Sequence, residues 1–307
     1  MPLPATIFKP PFSITRMSHA VFQVGDLAAS RDFYLEVLGM AISDESADTI
    51  WLRGLEEGCH HSLVLKRGAP GCQRVGFRVL MEEDLDLVAA HFSAAGLPTQ
   101  WVEVPYQSRT LHTVDPVGTP LEFCVSMEVR PRLFHHVERY RGASVQRADH
   151  VQVLTPGVAL ALQFYMGMGF RLSEYVQPDD APDPVFVFLQ RKGNPHDVVF
   201  ANRGTLQLHH IAYTVPDSAA LIHTAELMVR RGEGDRVEFG PARHFSPGLA
   251  RFLYIRDPDG HRIELFPSHY QTMDVEDAPV RWSPEEFRIG GWQEPPQRWL
   301  DEAMSFV

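Results

Sequence analysis

The sequence predicts an α+β fold built from two tandem βαβββ modules, each contributing to a curved mixed sheet. Two pairs of matching segments support this prediction. The segments "HAVFQVGDLAASRDFYLEVLGM" and "HVQVLTPGVALALQFYMGMGF" begin alike, and "VDPVGTPLEF" and "RDPDGHRIELF" end alike. His19 and His150 are 131 positions apart, and Glu122 and Glu264 are 142 positions apart. Insertions in loops would produce this difference between the two spacings. The chain therefore reads as an internal duplication.

The elements of the two copies correspond in order. Each copy opens with an alternating strand, and a turn leads into a helix that ends near Phe-Tyr-x-x-x-Gly. Near the end of each copy, an Asp-Pro-x-Gly turn precedes a strand that carries one Glu. The middle segments "HHSLVL" and "PHDVVF" also correspond. We predict one strand, one helix and three further strands in each copy.

The chain divides into four predicted segments. Residues 1–16 contain four prolines and are expected to form an extended arm. We predict an N-terminal module at residues 17–130 and a C-terminal module at residues 146–268. The intervening stretch is charged and poorly periodic. Residues 269–307 are a tail rich in Pro, Trp and charge, expected to pack near the active site.

Composition excludes several functional classes. Of the 307 residues, 44% are hydrophobic and 22% are charged, which is typical of a globular protein. The formal net charge of −11, without a basic run, argues against nucleic-acid and anionic-membrane partners. No apolar stretch approaches the roughly 20 residues of a membrane span. The three cysteines lack metal-like spacing, so we expect reduced thiols and a cytoplasmic location.

Three residues of the second module are candidate metal ligands. His150, His210 and Glu264 lie on strands that are expected to curve around one concave face. Two imidazoles and one carboxylate on one side of a metal form the facial triad of non-haem iron oxygenases. A single histidine, taken alone from the 15 in the chain, is more often a surface or core residue. The ligand assignment therefore rests on the repeat, in which His150 and Glu264 occupy matched ends of the module. In the first module, Arg74 aligns with His210, and a cation there disfavours a metal.

The sequence resembles the type I extradiol catechol dioxygenases of the vicinal oxygen chelate superfamily. It is most similar to the homoprotocatechuate (3,4-dihydroxyphenylacetate) 2,3-dioxygenase branch. The resemblance extends from about residue 17 and includes "LHHIAYTV" and "GPARHFSPGLARFLYIRDPDGHRIELF". It implies His150, His210 and Glu264 as ligands of Fe(II), with Mn(II) as the alternative ion. It also implies a catechol and O₂ as substrates, ring cleavage to a hydroxymuconic semialdehyde and a homo-oligomer.

The same resemblance implies roles for three further residues. His196, in "NPHDVVF", would be the acid–base residue beside the O₂ site. Tyr254 would hydrogen-bond the substrate oxygens, and His244 would lie nearby. Taken alone, Tyr254 reads as a half-buried strand aromatic and His196 as a loop histidine. The resemblance assigns the metal to the second histidine of the "HH" pair, so His209 is expected on the opposite face of the strand.

The sequence departs from the homoprotocatechuate branch around the substrate. Phe239 stands where that branch carries Arg, Gln152 where it carries Asn, and Phe188 where it carries Trp. An apolar ring in place of a charge argues against a substrate carboxylate, because burying an unpaired carboxylate is costly. Three other residues remain as candidate substrate cations, namely Arg243, Arg251 and Arg288.

Two other functions remain open from the sequence. One is an isomerase or lyase of the same superfamily, although such enzymes usually assemble metal sites with more carboxylate or between paired modules. The other is a non-catalytic protein that binds a small aromatic compound, which would not need His196. The ring substituent, the choice between iron and manganese, the oligomeric state and whether the tail forms a lid stay undecided at this stage.

Overall fold

The computed structural model of the chain describes residues 3–244, 250–288 and 294–307. Its strands form two sheets, one from each half of the chain. The first sheet has eight strands in the order β2-β3-β4-β1-β5-β8-β7-β6. In chain order they are β1 (Ile14–Val24), β2 (Ala41–Glu45), β3 (Thr49–Arg53), β4 (Leu63–Arg67), β5 (Gly71–Val79), β6 (Thr99–Val102), β7 (Thr110–Val114) and β8 (Pro120–Cys124).

The second sheet follows the same plan and is extended by the tail. Its main path runs β14-β15-β16-β13-β9-β12-β11-β10-β17, and β18 pairs with β13. In chain order the strands are β9 (Arg147–Thr155), β10 (Arg171–Val176), β11 (Phe186–Gln190), β12 (Val198–Asn202), β13 (Gln207–Thr214), β14 (Val237–Arg243), β15 (Arg251–Arg256), β16 (Arg262–Phe266), β17 (Val280–Trp282) and β18 (Met304–Ser305).

Short helices connect the strands. They are α1 (Leu27–Asp32), which continues into a π-helical turn (Phe33–Val37), α2 (Glu82–Ala94), α3 (Val158–Gly167), α4 (Ser218–Arg230), α5 (Pro284–Arg288) and α6 (Gln297–Asp301). Two 3₁₀ turns cover Val137–Arg139 and Gly234–Arg236. Within the described ranges, none of these helices has the length and apolar character that crossing a membrane requires.

The tandem α+β fold is confirmed, but each half contains two βαβββ units instead of one. In the first half the units are β1-α1-β2-β3-β4 and β5-α2-β6-β7-β8, and the second half repeats this order. The sequence analysis missed the second unit of each half because α2 and α4 lack the Phe-Tyr-x-x-x-Gly ending. The two units of a half join through their first strands, β1 with β5 and β9 with β13.

One continuous apolar core extends through both halves. Aromatic contacts cross between them, with ring centroids 5.1 Å apart for Phe92 and Phe164 and 6.4 Å apart for Phe77 and Tyr165. The end of the chain also touches both sheets. There, β18 pairs with β13, and the Val307 N–H donates to the carbonyl oxygen of a first-sheet residue, Cys72 (3.0 Å). The two sheets therefore pack as one body.

Candidate metal centre and substrate cavity

Three neighbouring strands of the second sheet carry the candidate metal ligands. His150 lies on β9, His210 on β13 and Glu264 on β16. Ala212 of β13 is the register partner of both His150 and Glu264, so these two side chains flank one point of the central strand. Alternation along β13 places His210, two residues earlier, on the same face as Ala212.

The functional atoms of these three residues converge. His150 Nε2 lies 3.1 Å from Glu264 Oε2, His210 Nε2 lies 3.0 Å from the same oxygen, and the two nitrogens are 3.4 Å apart. Each residue is 2% exposed. Two imidazole nitrogens and a carboxylate oxygen, gathered in a buried position, form a donor set that fits a divalent cation.

The electrostatics of the cluster favour the ligand forms of Glu264 and His210. Burial raises the pKa of Glu264, but hydrogen bonds with His150, His210 and His244 outweigh it and hold the pKa well below its ordinary value. Burial lowers the pKa of His210 to about 4, so its ring is neutral at neutral pH. Burial also lowers the pKa of His150, but hydrogen bonds to Asp149 and Glu264 outweigh it and give a raised pKa.

Asp149 fixes the ring of His150 from behind. Its Oδ2 lies 2.9 Å from His150 Nδ1, and the amide of Asn194 donates to both of its oxygens. Lys192 donates to the backbone oxygen of Asp149. A carboxylate on the far ring nitrogen sets the tautomer that leaves Nε2 free to coordinate a metal. Asp149 was not predicted from the sequence, although its place next to His150 was a usable signal.

His196 lies beside the cluster, at the end of the loop between β11 and β12. Its ring centroid is 4.1 Å from that of His150, and its buried Nδ1 has no hydrogen-bond partner among the described residues. Burial and the neighbouring His150 and His269 hold the pKa of His196 well below its ordinary value. A neutral imidazole next to the candidate metal position is able to accept a proton.

His269 was not found from the sequence. Its ring centroid lies 4.7 Å from that of His196 and 5.7 Å from that of His150, and its Nε2 is 3.8 Å from Asp149 Oδ2. With His150 and His196 it forms a second group whose nitrogens lie within 4.8 Å of one another. It follows β16 in an irregular segment, so no strand periodicity marked it.

Tyr254 and His244 lie beside Glu264, on the other side of the cluster from His196. The Tyr254 hydroxyl lies 3.3 Å from His244 Nε2, which is 3.4 Å from Glu264 Oε1. Tyr254 is the register partner of Glu264 on the adjacent strand β15. Burial, followed by the charge of Glu264, raises the pKa of Tyr254 well above its ordinary value, which keeps the hydroxyl protonated.

The expectation for His209 is wrong. Its Nδ1 lies 2.7 Å from His210 Nδ1, and both residues line the same cavity. The ladder between β9 and β13 shifts register between Leu208 and His210. A bulge at this point breaks the alternation on which the expectation rested.

The cluster opens into a cavity of about 780 Å³. Four predicted substrate residues line it, namely Gln152, Phe188, Phe239 and Arg243. The other aromatic wall residues were not predicted from the sequence, and they are Phe186, Phe252, Phe287 and Trp299. Phe239 is 7% exposed, and its ring centroid lies 4.8 Å from that of Phe252 and 5.6 Å from that of Trp299.

Of the other two predicted cations, one lies outside this cavity and one cannot be placed from the described residues. Arg251 does not line it, and its guanidinium lies 3.4 Å from the hydroxyl of Ser218. The physical reason is strand alternation, since Phe252 and Tyr254 of the same strand face the cavity and Arg251 is one step out of phase with them. The side chain of Arg288 lies outside the described residues.

The equivalent position of the first half is filled by hydrogen bonds. Gly76 is the register partner of both His19 and Glu122, as Ala212 is of its pair, which confirms the alignment of Arg74 with His210. Three side chains lie 2.7 Å from the Glu122 carboxylate, namely His19, His112 and Gln107. A Cβ on Gly76 would lie 2.0 Å from the His19 ring. In the described part of this half, no three ligand-type side chains meet closely enough to hold a metal.

Comparison with known proteins shows which superfamily both halves of the chain match. Residues 16–123 and 147–265 both match the Glyoxalase/Bleomycin resistance protein/Dioxygenase superfamily. The chain is 27% identical to a manganese-dependent 2,3-dihydroxybiphenyl 1,2-dioxygenase of Geobacillus genomosp. 3, over 90% of this chain and 92% of that protein.

Two solved structures are similar over nearly the whole chain. One is an extradiol ring-cleaving dioxygenase from B. fuscum, with a TM-score of 0.93 and 32% identity over 99% of this chain and 86% of that chain. The other is homoprotocatechuate 2,3-dioxygenase from Brevibacterium fuscum in an anaerobic complex with 3,4-dihydroxyphenylacetate. Its TM-score is 0.93, with 31% identity over 99% of this chain and 96% of that chain.

Proposed function

The chain belongs to the Glyoxalase/Bleomycin resistance protein/Dioxygenase superfamily as an extradiol ring-cleaving dioxygenase, and we propose that it cleaves catechols bearing a neutral or apolar substituent. The reaction adds both atoms of O₂ to the ring, next to the diol. The isomerase, lyase and binding-protein alternatives have no comparable support, because the relatives compared above are all named dioxygenases.

Enzymes of this kind use a divalent metal, and we assign His150, His210 and Glu264 as its ligands. The assignment is supported by the converging Nε2 and carboxylate atoms and by the low pKa of Glu264. We propose Fe(II), with Mn(II) as the alternative, since two imidazoles and a carboxylate accept both ions and one relative is named manganese-dependent. The bound cation would supply a Lewis acid that favours the catecholate and an open position for O₂.

We assign proton transfer to His196. Held neutral by burial, its imidazole accepts a proton from the substrate side and returns it while the O–O bond breaks. The Tyr254 hydroxyl and His244 lie on the opposite side of Glu264 and orient the substrate oxygens. Packing of these side chains against neighbouring rings keeps the proton donors and acceptors in fixed positions.

The single observation that carries the substrate proposal is the aromatic wall at Phe239. Its ring is buried against Phe252, Tyr254 and Trp299. It stands at the position where the homoprotocatechuate branch carries Arg, so a substrate substituent there would meet an aromatic ring instead of a cation. A buried carboxylate facing that wall would lose its hydration without gaining a partner. Among the described residues, Arg243 is the predicted substrate cation that lines the cavity. An apolar group fits the wall better, as the name of the dihydroxybiphenyl relative also suggests.

The test is a panel of substituted catechols assayed for ring cleavage under air with the metal-loaded enzyme. We expect a higher kcat/KM for alkyl- or aryl-substituted catechols than for 3,4-dihydroxyphenylacetate. Phe239→Arg should shift the preference toward the carboxylate by about one to two decades, because a charge-assisted hydrogen bond contributes roughly 1.5–3 kcal/mol. Phe239→Leu is the matched control, which removes the ring without adding charge.

Preference of the wild-type enzyme for 3,4-dihydroxyphenylacetate would mean that a cavity arginine, Arg203 or Arg243, pairs with the carboxylate and that the proposed pocket is wrong. Absence of a coloured ring-cleavage product from every catechol, with metal bound, would contradict the dioxygenase assignment itself. These two failures are distinguishable, because the first still shows ring cleavage.

We also propose a cytoplasmic homo-oligomer. Cys59, Cys72 and Cys124 are free thiols, and burial raises the pKa of Cys124 to about 12, so it stays an inert core residue. Retention of three titratable thiols in the denatured protein purified without reductant agrees with this view. Light scattering on the metal-loaded protein measures the assembly, and a monomer at micromolar concentration would contradict the oligomer.

A further inference from the structure

A second cleft, of about 770 Å³, lies where the starts of β1 and β9 and the end of β5 meet the connector between the halves. It has no described lining residue in common with the substrate cavity. Two carboxylate residues line it, Glu56 and Glu57, against six cationic side chains. The cations are Arg16, Arg78, Arg130, Arg132, Arg147 and Lys192. This positive lining occurs in a chain of formal net charge −11.

Half of these cations lack an anionic partner. Within the described ranges, Arg16, Arg78 and Arg132 have no carboxylate oxygen within 4.0 Å. Arg16 and Arg78 donate only to neutral acceptors, chiefly backbone carbonyl oxygens. The other three are paired, as Arg147 with Glu56 (2.6 Å), Arg130 with Glu128 (2.7 Å) and Lys192 with Asp197 (2.9 Å).

The acids of the cleft offset only part of this excess. Glu56 is taken by Arg147. Glu57 is 7% exposed, and its carboxylate accepts the backbone N–H groups of Gly54 (2.6 Å) and Ala148 (3.0 Å). The remaining positive charges repel one another, and burial together with the nearby Arg16 lowers the pKa of Arg78. A bound anion would relieve this repulsion.

We propose that this cleft is a binding site for a small anion with at least two negative charges, of phosphate or carboxylate type. Guanidinium groups bind both chemistries through paired N–H donors. The size of the cleft suits a small molecule. The strongly negative whole chain would repel a nucleic acid, which needs an extended basic surface.

Lys192 connects the cleft to the loop between β11 and β12 that carries His196. Its ammonium lines the cleft and donates to the backbone oxygens of Asp149 and His196 as well as to the Asp197 carboxylate. Asp149 in turn holds the ring of His150. An anion that draws Lys192 toward the cleft would shift the His196 loop. Lys192 is thus a positioning residue through which anion binding changes turnover, a step that rests on the proposed role of His196.

The binding experiment is titration calorimetry on the metal-loaded full chain with sulfate, inorganic phosphate and succinate. Chloride holds the ionic strength constant, and metal content is measured afterwards to exclude chelation. We expect one anion per chain and at least about tenfold weaker binding in Arg132→Glu, since the reversal removes one charge-assisted contact and adds a repulsion. The exposed Lys66, outside the cleft, gives the matched control Lys66→Glu, which should bind as wild type does. The preferred probe distinguishes tetrahedral oxyanions from carboxylates.

Activity is then measured with and without the tightest probe. We expect kcat to change at saturating anion in wild type and in Lys66→Glu, but not at the same concentration in Arg132→Glu. Lack of saturable binding by all three probes, or equal binding by both variants, would overturn the site. Binding without any change in kcat would overturn the link through Lys192 alone. If no probe binds and Arg132→Glu alters the oligomeric state, the cleft is a contact with a second copy and the proposal is wrong.

Discussion

At the scale of single residues, a few positions on equivalent strands separate the two halves of the molecule. His210 and Arg74 occupy equivalent places on β13 and β5. His210 lies two residues before Ala212, the register partner of the other two candidate ligands, and Arg74 lies two residues before Gly76, the register partner of the matching pair in the first half. The second half therefore gathers two imidazoles and a carboxylate, whereas the first half satisfies Glu122 with hydrogen bonds. Within one shared fold, Arg74 in place of a third ligand-type residue and the hydrogen bonds to Glu122 thus give the first half a different chemistry.

We expect His210→Ala or Glu264→Ala to abolish tight metal binding, because each removes one of three protein ligands. His19→Ala should keep metal near the wild-type level, since His19 bonds to Glu122 in the half assigned no metal. Elemental analysis of the purified proteins is the measurement, with one metal expected per wild-type chain. Circular dichroism checks that each variant is folded, and metal loss in folded His19→Ala would refute the assignment.

We expect His196→Ala to bind metal and catechol but to turn over about 10²–10⁴-fold more slowly, the usual contribution of a positioned proton-transfer group. Released peroxide is the second readout, because a stalled reaction returns reduced oxygen to solution. Steady-state kinetics at saturating O₂ and catechol measure the effect. Unchanged kcat would remove His196 from the mechanism, and His135→Ala, in the connector between the halves, serves as a control that should behave as wild type.

At the scale of elements, a buried ion pair holds β14 against β16 behind the site. Arg262, 1% exposed, donates to the Glu238 carboxylate through Nε (2.6 Å) and NH2 (3.0 Å) and to the backbone oxygen of His209 (3.1 Å). Arg256 donates to the same carboxylate (2.7 Å). This network fixes the backbone at the bulge from which His210 projects.

We expect Glu238→Gln to lower the free energy of unfolding by about 3–5 kcal/mol, because it leaves the charge of Arg262 buried without its partner. Urea denaturation of the metal-loaded proteins measures the change. Glu302→Gln is the control, because its exposed pair with Arg256 contributes little. Equal effects of the two substitutions would contradict the proposed role of the buried pair.

The same pair predicts a pH dependence. Burial raises the pKa of Glu238, but hydrogen bonds from Arg262 and Arg256 outweigh it, and the folded-state pKa lies below the ordinary value of 4.5. Protons therefore bind more tightly to the unfolded chain, so the pair's contribution is present above about pH 4.5 and is lost as the pH falls through the lowered pKa. The stability difference between wild type and Glu238→Gln should shrink below pH 4.5.

At the scale of the whole molecule, the duplication made much of the fold and metal site predictable. His150 and Glu264 were found because they recur as His19 and Glu122, and a repeat is visible without coordinates. What was missed depends on packing that leaves no period in the sequence. His269 reaches the site from an irregular segment, and the bulge at His209 arises from pairing between distant strands.

The repeat also produces reciprocal contacts between the halves. The tyrosine of each Phe-Tyr motif donates to the aspartate of the other half's Asp-Pro-x-Gly turn. Tyr34 reaches Asp257 Oδ2 and Tyr165 reaches Asp115 Oδ2, each at 3.1 Å between buried groups. The motif residues that revealed the duplication therefore also join its two copies, a role distinct from that of the metal ligands.

We expect Tyr34→Phe and Tyr165→Phe each to lower the free energy of unfolding by about 1.5–3 kcal/mol, because each removes a hydrogen bond to a buried carboxylate. The losses should add within about 0.5 kcal/mol in the double variant, since the two contacts share no partner. Tyr140→Phe, within the connector, is the control and should cost less. Metal content and kcat should stay at wild-type values in all four variants.

The Tyr165 contact should also depend on pH. Burial raises the pKa of Asp115 from 3.8 to about 6, while the Tyr165 hydroxyl is one of the donors that limit the rise. A folded-state pKa above the unfolded one means that stability falls as the pH rises from about 4 through 6. Tyr165→Phe raises this pKa further, so its loss of stability should be larger at pH 8 than at pH 4. A loss that is equal at both pH values would show that Asp115 does not carry the charge to which Tyr165 donates.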